Sequence, residues 1–276
     1  MKKPIKAYKD LAFLSSTDAR TIRLLAEYLE PQSRFKKHKI KDTIVFYGSA
    51  RILSRKAALA KVNRLKKHKK INEEELEKAM IDLEMSRYYE DTVKLSKMLT
   101  KWSMGIDEIH RFVVCSGGGP GIMEASNRGA KLAGGKSIGL NISLPFEQES
   151  NPYITEELNF EFHYFFMRKF WFAYLAKALI IMPGGYGTMD ELFELLTLVQ
   201  TEKIKKKMPI VIYDKKFWKD VINFSGLSKK GMIDEKEEKL LYFAETVEDA
   251  FEYVKSNLEK HYLNIEESLF NIKKKK

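Results

Sequence analysis

Short continuous apolar runs recur along the chain, each stopped by glycine, proline or a polar cluster. Between them lie stretches whose apolar positions repeat every three or four residues. The runs Thr43–Tyr47, Arg111–Cys115, Ser137–Ile142, Phe160–Phe162, Ala178–Met182, Pro209–Tyr213 and Tyr242–Ala244 predict strands. They are apolar throughout rather than alternating, as strands covered on both faces are. The intervening stretches predict helices: one through Ile122, Met123, Ala125, Ala130 and Leu132, one over Phe165–Ala176 that is apolar all round, Thr188–Thr201, Phe217–Phe224 and Thr246–Leu258. Strand and helix alternate, so the pattern predicts an α/β, Rossmann-like three-layer fold with a mostly parallel sheet.

Two polar stretches add to that frame. Residues 1–42 predict a helical N-terminal extension, in which Asp18 caps a helix carrying Ile22, Leu25, Ala26 and Leu29 that Pro31 ends. Residues 53–104 hold neither glycine nor proline, are rich in lysine and glutamate, and exceed what one crossover helix needs. A Lys-rich helical insertion at about 54–80 is therefore expected within a domain spanning 43–258, followed by a basic tail over 259–276.

Composition narrows the class. With 44% hydrophobic and 12% aromatic residues among 276, the chain has ample material for a core. No run of about 18 apolar residues is present, so no spanning helix is expected. The lysines and aspartate at 6, 9 and 10 interrupt any leader-like apolar segment. A single cysteine, Cys115, permits no internal disulfide and no paired-cysteine metal site, which fits a cytoplasmic protein. The net charge of +11 sits in lysine-dominated runs at 36–41, 64–70, 203–207 and 273–276. Without arginine forks or interleaved aromatics, these read as solvated faces rather than a specific nucleic-acid surface.

Chemistry concentrates at three strand ends: Gly48-Ser-Ala-Arg51, Ser116-Gly-Gly-Gly-Pro-Gly121 and Pro183-Gly-Gly-Tyr-Gly-Thr188. Parallel sheets bind ligands at the carboxyl ends of their strands, and glycine there lets backbone amides approach an anion at a helix N-terminus. None of the three has the Gly-Lys-Ser/Thr ending of a P-loop, and none is the dinucleotide fingerprint. Thr188 and Glu191 also have capping-box spacing, which any helix could use. Asp190 and Glu191 beside an anion site are costly without a task, and Arg168-Lys169 on the aromatic helix supply opposite charge. His163 and Cys115 read as structural. The segments Pro145–Gln148 and Asn151–Tyr153 read as a pocket wall, and one of the aromatics at 165–174 could stack on a base.

Taken in order, YGSAR, SGGGPGIMEASNRGA, GLNISLPFEQ, FFMRKFWF and PGGYGTMDELFELLT closely resemble the LOG family, often mislabelled as lysine decarboxylases, over roughly residues 43–255. The resemblance implies a dimeric phosphoribohydrolase that splits a nucleoside 5′-monophosphate, AMP or an N6-modified AMP, into free base and ribose 5-phosphate, with no cofactor or metal. It places catalysis on Arg168 and Glu191 and the phosphate loop on Gly184, Gly185, Gly187 and Thr188. Ser49, Arg51, Gly118, Gly119 and Glu124 are implied to line the same pocket, with Lys169 and Asp190 in support. Pyridoxal chemistry is not expected, since no motif singles out a Schiff-base lysine. The rival expectation is a non-catalytic nucleotide or molybdenum-cofactor carrier on the same scaffold.

Overall fold

A computed structural model describes residues 3–67, 72–106, 111–143 and 149–263. Helices α1 (Leu11–Ser15) and α2 (Arg20–Lys37) precede β1 (Thr43–Tyr47), and α3 (Arg55–Lys66) and α4 (Glu73–Ser103) follow it. Next come β2 (Val113–Ser116), α5 (Ile122–Leu132), β3 (Ser137–Ile142), β4 (Asn159–Phe162), α6 (Phe165–Leu175) and β5 (Ala176–Ile181). The chain closes with α7 (Tyr186–Gln200), β6 (Ile210–Tyr213), α8 (Lys215–Val221), α9 (Phe224–Lys229), α10 (Glu235–Glu238), β7 (Leu241–Ala244) and α11 (Val247–Leu258).

The strands form one seven-stranded sheet in the order β4-β3-β2-β1-β5-β6-β7, and every pairing is parallel. Successive side chains point to opposite faces, which sorts the core into two layers. Val45, Tyr47, Cys115, Leu140, Leu179 and Ile212 meet Trp171 and Phe172 of α6, Leu192 and Leu195 of α7, and Trp218 of α8. On the other face Ile44, Phe46, Val114, Ile180 and Val211 meet Tyr88, Tyr89, Leu95 and Leu99 of α4, Ile122 of α5, and Val254 of α11. The three-layer expectation holds, with the sheet wholly parallel.

The strand order reverses at β1. From β1 the chain steps outward through β2, β3 and β4, then returns to place β5 against the opposite side of β1. The following helices therefore leave on opposite faces, and a crevice opens between the carboxyl ends of β1 and β5. The turns at 48–51 and 183–188 both border it, and Ser49 N–H donates to Pro183 O at 3.1 Å.

Several local expectations are corrected. Asp18 is not the cap of α2: Ala19 holds that position with no side-chain bond, and the helix runs through Pro31 to Lys37. Proline inside a helix leaves the carbonyl four residues earlier without its donor. Here that carbonyl, Glu27 O, accepts the indole N–H of Trp171 at 2.9 Å, which lets the helix continue. Ile22, Leu25 and Leu29 do not form the buried face; they are 45%, 55% and 53% exposed, while Phe35 and Pro31 are buried. The second strand begins at Val113 rather than Arg111. Arg111 turns aside to ion-pair with buried Asp42 at 3.1 Å, and Phe112 adopts a positive φ of 53°. The helix expected over 217–224 is two helices, because Ile222 is extended and the Asn223 side chain caps α9 by accepting from Gly226 N.

The same Glu27 carboxylate accepts from the backbone N–H groups of His163 and Tyr164, which lead into α6. Tyr28 packs on Phe170 and Trp171. Helix α2 thus holds the start of α6, the helix that carries Arg168. Replacing Trp171 by phenylalanine keeps most of the packing but orphans Glu27 O, and should cost about 1–2 kcal/mol in chemical denaturation. A loss confined to proteolytic release of residues 3–37 would show that α2 detaches independently of the sheet.

Candidate active site

The crevice is a cleft of ≈ 670 Å³ lined by Tyr47, Ser49, Arg51, Gly117, Met123, Phe165, Arg168 and the stretch Gly185–Glu191. Three strand-end turns and α6 therefore meet at one place.

Glu191 lies on the second turn of α7 with its side chain only 9% exposed. Arg168 reaches it from α6, Nη1 to Oε1 3.6 Å, an ion pair longer than a direct hydrogen bond. The guanidinium is fixed elsewhere: Nε donates to Leu140 O at 2.7 Å, and the group lies 5.0 Å from the Phe172 ring centre. Burial pushes the Glu191 carboxyl from the ordinary 4.5 up to about 7, against the pull of Arg168 and Lys169, while Asp190 and Glu194 push it further up. Desolvation outweighs the paired charges here, which leaves a carboxyl poised to ionise near neutral pH.

Gly117 packs against the Arg168 guanidinium. A Cβ there would come within 2.5 Å of Arg168 Nη2 and 2.6 Å of Met123 Sδ, so any side chain would displace the guanidinium. Lys169 does not enter the cleft's lining. It bridges Asp190 at 2.9 Å and Glu194 at 2.8 Å, tying α6 to α7. Burial alone would lower its pKa, but hydrogen bonds to Glu194 and Asp190 raise it, so its charge is secure.

The start of α7 corrects the capping-box reading. The helix begins at Tyr186 with Gly185 as N-cap and no side-chain cap, so Thr188 and Glu191 are both inside it. The first-turn residues 186–188 line the cleft and their amides have no side-chain cap, and a helix N-terminus favours negative charge. Thr188 lines this surface, and its Oγ1 lies so close to Gly184 that a Cβ at 184 would come within 2.1 Å of it. Gly184 itself borders a neighbouring crevice of ≈ 190 Å³ that shares Ser49 and Arg51 with the main cleft.

Not every residue implied by the motifs converges there. Gly185, Gly187, Thr188, Asp190, Glu191, Ser49, Arg51 and Arg168 line the cleft, whereas Gly118, Gly119 and Glu124 do not. Gly118 has φ 78° and abuts Asn141. The carbonyls of Gly118 and Gly119 accept from Asn151 Nδ2 at 2.9 and 3.1 Å, so Asn151 braces this turn rather than walling the pocket. Glu124 turns to α4 and accepts the Tyr89 hydroxyl at 2.5 Å. The Pro145–Gln148 segment lies outside the described residues.

Sequence reasoning did not single out Gly117, Met123, Tyr47 or Tyr186 as lining residues. The Tyr47 hydroxyl is buried without a hydrogen-bond partner among the described residues, and burial together with Glu191 raises its pKa well above the ordinary 10. Its position at the end of β1, beside the turn, was the only signal available. Among the described residues, no three His, Cys, Asp or Glu side chains gather as a metal site needs, and no helix is long and apolar enough to cross a membrane.

Fold and site together define a parallel Rossmann-like protein whose switch point holds an α7 N-terminus without a side-chain cap and a buried Arg–Glu pair. Residues 123–254 match the family described as "Possible lysine decarboxylase", and this is the family whose LOG-type members the motifs resemble. The matched span includes Arg168, Thr188 and Glu191 and begins after the first two glycine turns. No curated protein matches significantly. Among solved structures, the chain is similar to TM1055 (19% identity, 78% of this chain and 99% of that one, TM-score 0.45). It is also similar to the molybdenum cofactor carrier protein of Chlamydomonas reinhardtii (20%, 79% and 98%, TM-score 0.44). A third is the molybdenum cofactor binding protein of the phototrophic bacterium Rippkaea orientalis (19%, 61% and 86%, TM-score 0.43).

Proposed function

We propose that this protein hydrolyses the N-glycosidic bond of a nucleoside 5′-monophosphate, AMP or an N6-modified AMP, releasing the base and ribose 5-phosphate. The observation that carries this reading is a buried carboxyl held near neutral pKa beside an uncapped helix N-terminus. The 5′-phosphate docks on the first-turn amides of α7, next to Thr188. That anchorage fixes the sugar, so binding energy remote from the reacting bond goes into position. As the bond to the base breaks, positive charge develops at the anomeric carbon. Ionised Glu191 stabilises that charge and takes the proton of the attacking water. Arg168 keeps part of the carboxylate population ionised and, locked to Leu140 O, fixes where it points. The water's oxygen and one of its protons become the C1′ hydroxyl of the ribose, while the other proton passes to Glu191 and from there to the departing base, which leaves the carboxylate ionised again.

The words lysine decarboxylase imply pyridoxal phosphate held by a lysine. No lysine lines the cleft among the described residues, Lys169 is engaged by two carboxylates, and the stretch 144–148 contains none. The residues do not fit that group, and no step is derived through it.

The reading is tested by incubating the full chain, in EDTA, with AMP, GMP, CMP, UMP and N6-isopentenyl-AMP, and resolving bases and ribose 5-phosphate by chromatography. Release of base in equimolar amount with ribose 5-phosphate is expected. Nucleotide that binds and is recovered intact from every incubation would instead make the protein a carrier.

A further inference from the structure

A second cleft, of ≈ 560 Å³, lies at the amino ends of β6 and β7, the opposite edge of the sheet from the Arg168–Glu191 site. Lys205, Lys206, Lys207, Lys239, His261 and Asn257 converge on it from the loop before β6, the end of α10, the end of α11 and the helical turn Glu259–Leu263 that follows. Four ammonium groups face one lining carboxylate, that of Glu202, a formal surplus of three positive charges.

The carboxyl end of a neighbouring helix accounts for one of them. Lys206 Nζ donates to Ala173 O at 2.6 Å and Tyr174 O at 2.8 Å, closing the last turn of α6. Lys205, Lys207 and Lys239 form no ion pair among the described residues. The surrounding field is positive: burial, then Lys260 and Lys207, lower the His261 pKa, and burial, then Lys177, lower that of Lys206 to about 8 despite Asp42. Lys205, Lys207 and Lys239 are solvent-exposed around a concavity whose one lining carboxylate is Glu202, so an anion seated there meets a surplus of positive charge.

We propose that this cleft is a binding site, separate from the Arg168–Glu191 cleft, for a small molecule carrying two or more phosphate groups. Its volume falls in the usual range for a small-molecule pocket. Lysine ammoniums are compact point charges suited to phosphate oxygens, and their spread over separate segments matches an anion with several charged centres. Residues 204–207 of the basic run are thereby part of a pocket wall and not only a solvated face.

The test follows the five histidines of the full chain by proton NMR while inorganic tripolyphosphate is added at about 0.15 M salt, where exposed charges are largely screened. His261→Gln assigns the resonance. The expected result is a saturable shift of His261, with its apparent pKa rising because a bound anion favours the imidazolium. The triple variant Lys205→Glu, Lys207→Glu, Lys239→Glu should weaken binding at least about tenfold, whereas Lys56→Glu with Lys66→Glu on α3 should not. Absence of a saturable His261 shift, or equal sensitivity to both sets of changes, overturns the proposal. So does an oligonucleotide that, at equal phosphate concentration, binds this cleft more tightly than tripolyphosphate, since the face would then be a nucleic-acid surface. None of these readouts depends on nucleotide hydrolysis.

Discussion

If the proposed hydrolysis is right, a Glu191→Gln variant is expected to lose base release by on the order of 10³-fold while gaining stability above pH 7. The two effects share one cause. Burial raises the folded-state pKa of Glu191 from 4.5 to about 7, net of the attraction of Arg168. The folded protein therefore binds the proton more tightly than the unfolded chain, so stability falls as pH rises between those values and stays lower above them. Glutamine mimics the protonated form and removes that penalty, worth up to about 3 kcal/mol at pH 8 and nothing below about pH 4. Denaturation of both proteins at pH 5 and pH 8 measures it directly. On the proposed mechanism, wild-type activity should rise with pH through a midpoint near 7, where Glu191 ionises. Equal stability of the two proteins at pH 8 would mean that Glu191 is already ionised at no cost, and the account of its environment would be wrong.

Removing the partner has the opposite effect on stability. Arg168→Met deletes the bond to Leu140 O and the largest attraction acting on Glu191. The Glu191 pKa should rise further, moving the activity midpoint to more alkaline pH, with a loss of on the order of 10²-fold at that new optimum. Stability at pH 8 should fall by about 2 kcal/mol: at most about 1.4 from the one pH unit over which Glu191 now stays protonated, and about 1 from the lost bond to Leu140 O. At pH 5, where the carboxyl is protonated, the loss should be smaller. The double variant Arg168→Met, Glu191→Gln should recover most of the pH 8 loss without recovering activity, which separates coupling between the two side chains from simple packing damage. Retention of the wild-type pH profile by Arg168→Met would show that the guanidinium does not act through Glu191.

Much of this organisation was legible in the residues. Strands buried on both faces read as near-continuous apolar runs, and the central runs, such as 43–47 and 176–181, announced a covered parallel sheet, whereas the edge strand β4 exposes Glu161. The turns at 48–51, 116–121 and 183–188 marked their carboxyl ends, because only small residues permit so close a turn. The pairing of Arg168 with Glu191 was legible through the resemblance of its motifs, since their separation along the chain carries no periodicity of its own.

Local signals failed where a distant group intervened. Pro31 would end an isolated helix, yet α2 continues because Trp171, 140 positions further on, supplies a donor to the freed carbonyl. Thr188 and Glu191 have capping-box spacing, but the helix starts at Tyr186, so both lie inside it and Thr188 packs against Gly184 instead of capping. Glu124 belongs to a glycine-rich motif, yet Tyr89 of α4 draws it away from the cleft. By itself the sequence determined what depends on neighbours in the chain: the periodicities, the turns and the chemical types at each strand end. Only the tertiary structure decided the burial that raises the Glu191 pKa, the seat of Arg168 against Gly117, and the gathering of dispersed lysines around a second cleft. Desolvation and charge proximity are sums over groups distant in sequence, and no local pattern records them.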